Sequence, residues 1–240
     1  DAQIVGAKVV EIPDLPGFTR DRKSLLQAVQ ELQPKLTVLC NPNNPTGELL
    51  PLSFLEEVLQ ASPNPVVVDE AYIEFTGSDS IITKLADYDN LIVIRTLSKA
   101  FGLAGVRVGY AVAQKEVIDA LSLVKLVYNV GNLAQIAALA AMKYRGMILA
   151  HNIPPTIAAR DYLTAELKQI DGVTVYDSVT NFVLIRVPDG PAVVNALKEA
   201  DICVRFYKAA ALRNCLRITV TTRDVVQRVV EVIRKEVGHA

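Results

Sequence analysis

Three short apolar runs constrain this chain most. Leu36 to Cys40 breaks off at Asn41-Pro42-Asn43-Asn44-Pro45-Thr46-Gly47, Pro65-Val66-Val67-Val68 at Asp69, and Leu91 to Ile94 at Arg95-Thr96. Apolar runs without alternation suit strands covered on both faces, and helical tracts lie between them. Asp21 can cap a helix whose apolar positions Leu25, Leu26, Val29 and Leu32 follow the helical period. Ser53 and Glu56 have capping-box spacing, with Phe54, Leu55, Val58 and Leu59 as the apolar face. Lys8 to Ile12 reads as an earlier strand. The expected architecture is α/β, a mostly parallel sheet with flanking helices.

The second half has another character. Helical tracts run from Gln114 to Val127 and from Leu133 to Ala150, and Pro154-Pro155 is expected to break or kink any helix that passes there. Then come a helix (Ile157 to Ile170), strands (Val173 to Tyr176, Asn181 to Val187) and a helix (Ala192 to Ala200). Two more strands (Ile202 to Phe206, Leu216 to Val220) and a helix (Asp224 to Val237) close the chain. This order suits a smaller α+β domain, so the expected division is 1–150 and 151–240, with the long helical region as connector.

Composition narrows the functional classes. Of 240 residues, 51% are hydrophobic, enough for a sizeable core. Lys+Arg 25 against Asp+Glu 26 leaves a net charge of −1, so nothing points to a nucleic-acid partner. Gln135, Lys143 and Arg145 interrupt the best membrane-span candidate, and no charged segment followed by an apolar one marks a signal peptide. Neither a membrane nor a secretory route is expected. Asp1 in place of Met reads as something other than a natural translation start. The three cysteines, Cys40, Cys203 and Cys215, read as spare buried thiols in a reducing compartment. His151 and His239 lie far apart without suitable partners, so neither a metal site nor a histidine triad is expected.

Four features fall in order: Asn44-Pro45-Thr46-Gly47, Asp69 with Tyr72, Ser98-Lys99, and Arg107. Three follow expected strands directly and Arg107 lies in the next loop, so they can converge at the carboxyl edge of a sheet, where α/β folds bind ligands. Taken singly, each is ordinary: a turn, an end-of-strand acid, a solvated lysine. Gly102, Gly105 and Gly109 do not make a GxGxxG loop. Thr96-Leu97-Ser98-Lys99 imitates a Ser-x-x-Lys motif but has Thr where the nucleophile should stand.

Taken together they are specific. The run Arg95-Thr96-Leu97-Ser98-Lys99-Ala100-Phe101-Gly102-Leu103-Ala104-Gly105-Val106-Arg107-Val108-Gly109-Tyr110 resembles the lysine segment of the fold-type-I pyridoxal-phosphate aminotransferases. Asn41 to Gly47 and Asp69-Glu70-Ala71-Tyr72-Ile73-Glu74-Phe75 resemble its upstream segments, and within that family the likeness is to histidinol-phosphate aminotransferases. The resemblance implies the PLP-transferase fold and pyridoxal 5'-phosphate as cofactor. It implies that Lys99 condenses with the cofactor aldehyde and then serves as general base and acid. Asp69 pairs with the pyridinium nitrogen, and Asn44 and Tyr72 donate to the phenolic oxygen. Thr96, Ser98 and Arg107 hold the phosphate. Asn214-Cys215-Leu216-Arg217-Ile218-Thr219-Val220 resembles the family's carboxylate-binding strand, which gives Arg217, with Asn44, to substrate. Arg205 matches an arginine that helps bind the phosphate of histidinol phosphate.

The implied reaction is amino transfer between histidinol phosphate and 2-oxoglutarate in histidine biosynthesis, by a cytoplasmic homodimer acting on a small amino donor and a 2-oxo acid. A phosphothreonine decarboxylase, an aromatic aminotransferase or a non-catalytic fragment that keeps the motifs are the alternatives. Departures exist: Val127 stands where the family usually has proline, Thr221 where it has glycine, and Pro154-Pro155 where its helix is continuous. The family's opening segment, with a substrate-contacting arm, a phosphate-binding helix start and a ring-stacking aromatic, has no counterpart here. The chain alone is therefore expected to be a poor enzyme.

Overall fold

The computed structural model describes residues 2–238, so His239 lies outside them. Its first sheet has the order β1 (Thr37–Cys40), β2 (Val66–Asp69), β3 (Leu91–Thr96) and β4 (Gly109–Ala113). The first three strands run parallel, as their unbroken apolar runs require, and β4 returns antiparallel to β3. Register places Cys40 beside Asp69 and Asp69 beside Ile94, so the carboxyl ends of β1, β2 and β3 form one edge.

Helices α1 (Arg22–Leu32) and α2 (Leu52–Ala61) cover one face of this sheet. Leu25, Val29, Phe54, Leu55 and Val58 pack there against Val66, Val68, Leu91 and Val93. Side chains alternate along a strand, so Val66 and Val68 enter this core while Asp69 does not. The opposite face is not covered throughout, since Val38 on β1 is 62% exposed.

Asp21 caps α1 as its position requires, accepting from Ser24 N at 3.0 Å. The capping box at Ser53 does not form. Pro51, whose fixed φ suits a helix entry, stands at the N-cap of α2, and Glu56 pairs instead with Lys84 at 3.1 Å. Lys8 to Ile12 is not a strand, because no neighbouring strand takes its backbone groups among the described residues.

After β4 come α3 (Lys115–Val124), α4 (Asn132–Lys143) and α5 (Arg145–Leu167). Pro154 and Pro155 lie inside α5 without ending it, contrary to expectation. They lose the bonds to the carbonyls of Ala150 and His151, but all four residues are exposed and water can take those partners. Thr156 Oγ1 also donates to Asn152 O at 2.7 Å, within the affected turn. Among the described residues no helix is long and apolar enough to cross a membrane.

The second sheet is antiparallel throughout, in the order β5 (Thr174–Tyr176), β6 (Phe182–Arg186), β8 (Cys215–Thr219), β7 (Arg205–Phe206). The expected strand at Ile202 to Phe206 is shorter than its apolar run. Together with α5, the helices α6 (Gly190–Glu199) and α7 (Arg223–Val237) pack on this sheet through Leu163, Leu167, Leu197, Val226, Val230 and Ile233. Val183, Ile185, Leu216 and Ile218 belong to that core. Alternation therefore puts Phe182, Leu184 and Arg217 on the other face. Cys215 is buried and Cys40 half-buried, but Cys203 is exposed, which corrects the expectation for that residue.

Candidate active site

The loop after β1 is closed by its own amides. Asn41 Nδ2 donates to Leu50 O at 3.2 Å while Leu50 N donates to Asn41 Oδ1 at 2.7 Å. Asn43 Nδ2 donates to Thr46 Oγ1 at 2.8 Å, and Arg20 reaches Asn43 Oδ1. Gly47 has φ +81°, and a Cβ there would collide with Ser178. Its carbonyl accepts from Val179 N at 3.1 Å, so the loop is pinned to the connection between β5 and β6 of the second sheet. Gly47→Ala is expected to cost more than about 1 kcal/mol, from both the left-handed φ and the collision. Urea unfolding checks this, and an unchanged midpoint would show that Ser178 gives way.

That pinning sets Asn44 opposite Arg217, whose Nη1 donates to Asn44 Oδ1 at 2.7 Å. With its oxygen so occupied, the Asn44 amide keeps both N–H donors for a ligand. The Arg217 guanidinium lies 5.0 Å from the Phe182 ring centroid, and its Nε is buried without a partner. A buried donor left unpaired is costly, so the arginine is ready for an anion.

Asp69 ends β2 and accepts from Ala71 N at 3.0 Å. Tyr72, 5% exposed, meets Phe182 edge to face at 5.1 Å and has Lys99 Nζ 5.4 Å from its centroid. Burial pushes the Tyr72 phenol above its ordinary pKa; Arg217 opposes this, while Cys40, Asp69 and Tyr207 add to it. Burial lowers the Lys99 pKa, and the charges of Arg217 and Arg107 lower it further. A lysine so placed is more readily neutral and hence nucleophilic.

The lysine turn is held from three sides. Leu97 N donates to Val108 O at 3.0 Å, Gly102 N to Lys99 O at 3.0 Å, and Asn152 Nδ2 on α5 to Ala100 O at 3.0 Å. Thr96 Oγ1 accepts from Ser98 N at 3.0 Å and donates to Ser98 Oγ at 2.8 Å. Arg107 is exposed and left-handed (φ 60°, ψ 41°), with Nη1 donating to Ala104 O at 3.1 Å. A non-glycine residue in that conformation is uncommon and clusters at ligand clamps.

Arg205 is exposed on β7, directly opposite Arg217 on β8. Its guanidinium lies 5.7 Å from the Tyr207 ring. Residues paired in this way project from the same face, and like charges there repel. Two arginines side by side suit a ligand with more than one negative charge.

Asn44, Tyr72, Lys99 and Arg217 thus come together, with Asp69 and Arg107 acting on them electrostatically and Arg205 beside Arg217. Phe182, Tyr207 and Asn152 complete the surroundings without having been singled out for chemistry. Phe182 alone carried a signal, as the first residue of an apolar run after Thr180-Asn181.

A lysine and an acid at the ends of parallel strands are faced by arginines from an antiparallel sheet, a donor set that suits an anionic ligand. Residues 1–233 match the family model of the class I and II aminotransferases, and the chain belongs to this family. It is 43% identical over 222 residues to a histidinol-phosphate aminotransferase of Thermoanaerobacter sp. (strain X514), an alignment that covers 92% of this chain and 62% of that protein. The chain thus spans less than two thirds of that relative's length. The fold matches a histidinol-phosphate aminotransferase of Clostridium acetobutylicum with a TM-score of 0.92 at 23% identity, covering 100% of this chain and 74% of that one. A Sinorhizobium meliloti histidinol-phosphate aminotransferase in complex with pyridoxal-5'-phosphate matches with a TM-score of 0.83 at 28% identity, covering 98% and 65%.

Proposed function

We propose that this chain carries the catalytic lysine and substrate-anchoring arginines of a pyridoxal-phosphate enzyme that transfers an amino group between histidinol phosphate and 2-oxoglutarate. Residues 1–150 serve in this reading as the cofactor-holding part, and 151–240 as the smaller substrate-gripping domain. One observation carries it: Lys99 lies beside Tyr72 with its pKa lowered by burial, and Arg217 faces it from the second sheet with an unpaired donor.

The residues fit the cofactor by their chemistry. Asp69 would hold the ring nitrogen, Asn44 and Tyr72 the phenolic oxygen, and Thr96, Ser98 and Arg107 the phosphate. When bound, the cofactor supplies an electron-withdrawing ring that stabilises charge at the substrate α-carbon. Asp69 would keep a proton on the ring nitrogen. Lys99 Nζ would move a proton from the substrate α-carbon to the cofactor C4′ carbon, and in the opposite direction in the reverse half-reaction. Arg217 would orient glutamate or 2-oxoglutarate by its carboxylate, and Arg205 would select histidinol phosphate by its phosphate. The Arg217–Asn44 bond would link the carboxylate grip to the amide that donates to the phenolic oxygen, so substrate and cofactor would share one side chain.

The reading extends to a cytoplasmic homodimer. Exposed apolar residues on α3 and α4, among them Leu123 and Leu133, support a covering partner, and light scattering tests it.

Borohydride reduction of cofactor-loaded protein, followed by peptide mapping, is expected to place the pyridoxyl group on Lys99. Label on Lys84, Lys115 or Lys125 overturns the site. Formation of glutamate from 2-oxoglutarate, dependent on histidinol phosphate, tests the reaction; release of CO₂ in place of glutamate replaces it with a decarboxylase.

A further inference from the structure

Glu70 and Arg95 adjoin the two runs that carry the site, yet neither has a role in it so far. Glu70 follows Asp69 at the end of β2, and Arg95 precedes Thr96 on β3. The Glu70 side chain is 1% exposed and that of Arg95 16%. Arg95 donates to Glu70 Oε2 from Nε at 3.1 Å and Nη2 at 2.8 Å. Ser80 Oγ donates to the same oxygen at 2.5 Å, and Ile81 N donates to Oε1 at 3.0 Å. Both carboxylate oxygens are therefore satisfied, as a buried charge requires. Glu74 adds a second carboxylate 3.8 Å from Arg95 Nη1.

The pair sits where the sheet gives out. The β2–β3 ladder ends with Asp69 opposite Ile94, and Glu70 N donates to Ile94 O at 2.9 Å just beyond it. From there β2 turns towards Tyr72 while β3 continues through Thr96 into the lysine turn. On the other side of β3, Gly109 lies opposite Thr96, where a Cβ would come within 2.9 Å of Arg95 O. Arg95 is thus fixed by backbone on one side and by a forked side-chain bond on the other. A buried ion pair is weak as a source of stability compared with apolar packing of similar volume. Its distinguishing property is direction, since the Arg95 fork closes with both N–H groups on the one oxygen Oε2 while Ile81 N holds Oε1, so the carboxylate is fixed from two sides.

We propose that Glu70 and Arg95 are positioning residues, their buried fork fixing the end of β2 against the end of β3 and so setting Asp69 relative to the Ser98-Lys99 turn. The proposal rests on the roles given above to Asp69 and Lys99. An acid and an amine that act on one cofactor must be held at a fixed separation, and strand pairing reaches Asp69 but ends before the Ser98-Lys99 turn. Neither Glu70 nor Arg95 touches the ligand in this account.

The test compares wild type, Glu70→Gln and Arg95→Lys in the complete protein. Borohydride mapping of the wild type is done first, because label elsewhere than Lys99 overturns the site and this role with it. For each variant the cofactor Kd, the pH midpoint of the bound cofactor's visible absorbance, and the apo-protein Tm are measured. Glu70→Gln keeps the shape but leaves the Arg95 charge with Glu74 alone. It is expected to raise Kd at least about tenfold, to move the pH midpoint, and to lower kcat by up to about 10²-fold, the cost of a displacement near 1 Å at a reacting centre. Arg95→Lys keeps the charge and loses the fork, so it is expected to move the same quantities. It also decides the matter if Glu70→Gln gives no soluble protein. A lower apo-protein Tm with unchanged Kd and pH midpoint in the soluble variants would overturn the positioning role and leave Lys99 and Asp69 in place.

Discussion

Replacing Lys99 with methionine is expected to lower amino-group transfer by the complete, cofactor-loaded protein by about 10²–10⁴-fold, the usual worth of a positioned general base and acid. Methionine keeps the apolar stem and removes the amine, so packing against Tyr72 survives while proton transfer does not. The same variant carries a signature in the apo-protein. The Lys99 pKa is depressed by burial and by Arg217 and Arg107, so its charged form opposes folding. In that window the unfolded chain binds more protons, and wild-type stability rises with pH. The stability advantage of Lys99→Met is therefore expected to be largest below the folded-state pKa of Lys99. It should shrink as pH approaches about 10.4, the ordinary lysine value. Chemical denaturation at several pH values measures this, and an advantage independent of pH would mean that Lys99 is not electrostatically burdened. Turnover within tenfold of wild type would remove Lys99 from the chemistry.

The two arginines are expected to separate by substrate. Arg217→Ala should weaken both half-reactions, because each substrate brings a carboxylate or a group bound in its place, and the variant also frees Asn44 Oδ1. Arg205→Ala should weaken histidinol phosphate much more than glutamate, since only the former has a distal phosphate. Truncating one partner of a buried charge-assisted contact costs on the order of 2–5 kcal/mol. Arg205 is exposed in this structure, so the lower end applies unless ligand binding buries it. Steady-state kinetics with both substrates checks the pattern. Equal losses for Arg205→Ala would make that residue structural or histidinol phosphate the wrong donor.

How much of the molecule was legible follows from what is local. Asp21 caps its helix because the cap is a contact three residues long. The three apolar runs are parallel strands whose inner face packs under α1 and α2, although Val38 on β1 stays exposed on the other, and their ends place Asp69 and the Ser98-Lys99 turn at one edge. The same local logic failed where an element depends on a neighbour. Lys8 to Ile12 has strand composition but no partner strand, and Ser53 lost the helix start to Pro51. Pro154 and Pro155 are tolerated in α5 because the carbonyls they orphan belong to exposed residues.

The sequence by itself determined the chemical types at the site and their order, since the motifs from Asn44 to Arg107 are contiguous stretches whose turns and strand ends are set by nearby residues. Only the tertiary structure decided that Arg217 reaches Asn44 across 173 positions and that Phe182 stands between Tyr72 and Arg217. Only there, too, do Arg205 and Arg217 become neighbours, through the register of β7 and β8. The physical reason is range. Caps, turns and strand ends are fixed by residues a few positions apart. The approach of the second sheet depends on packing between surfaces far apart in sequence, such as the missing side chain of Gly47 against Ser178, and no local pattern encodes it.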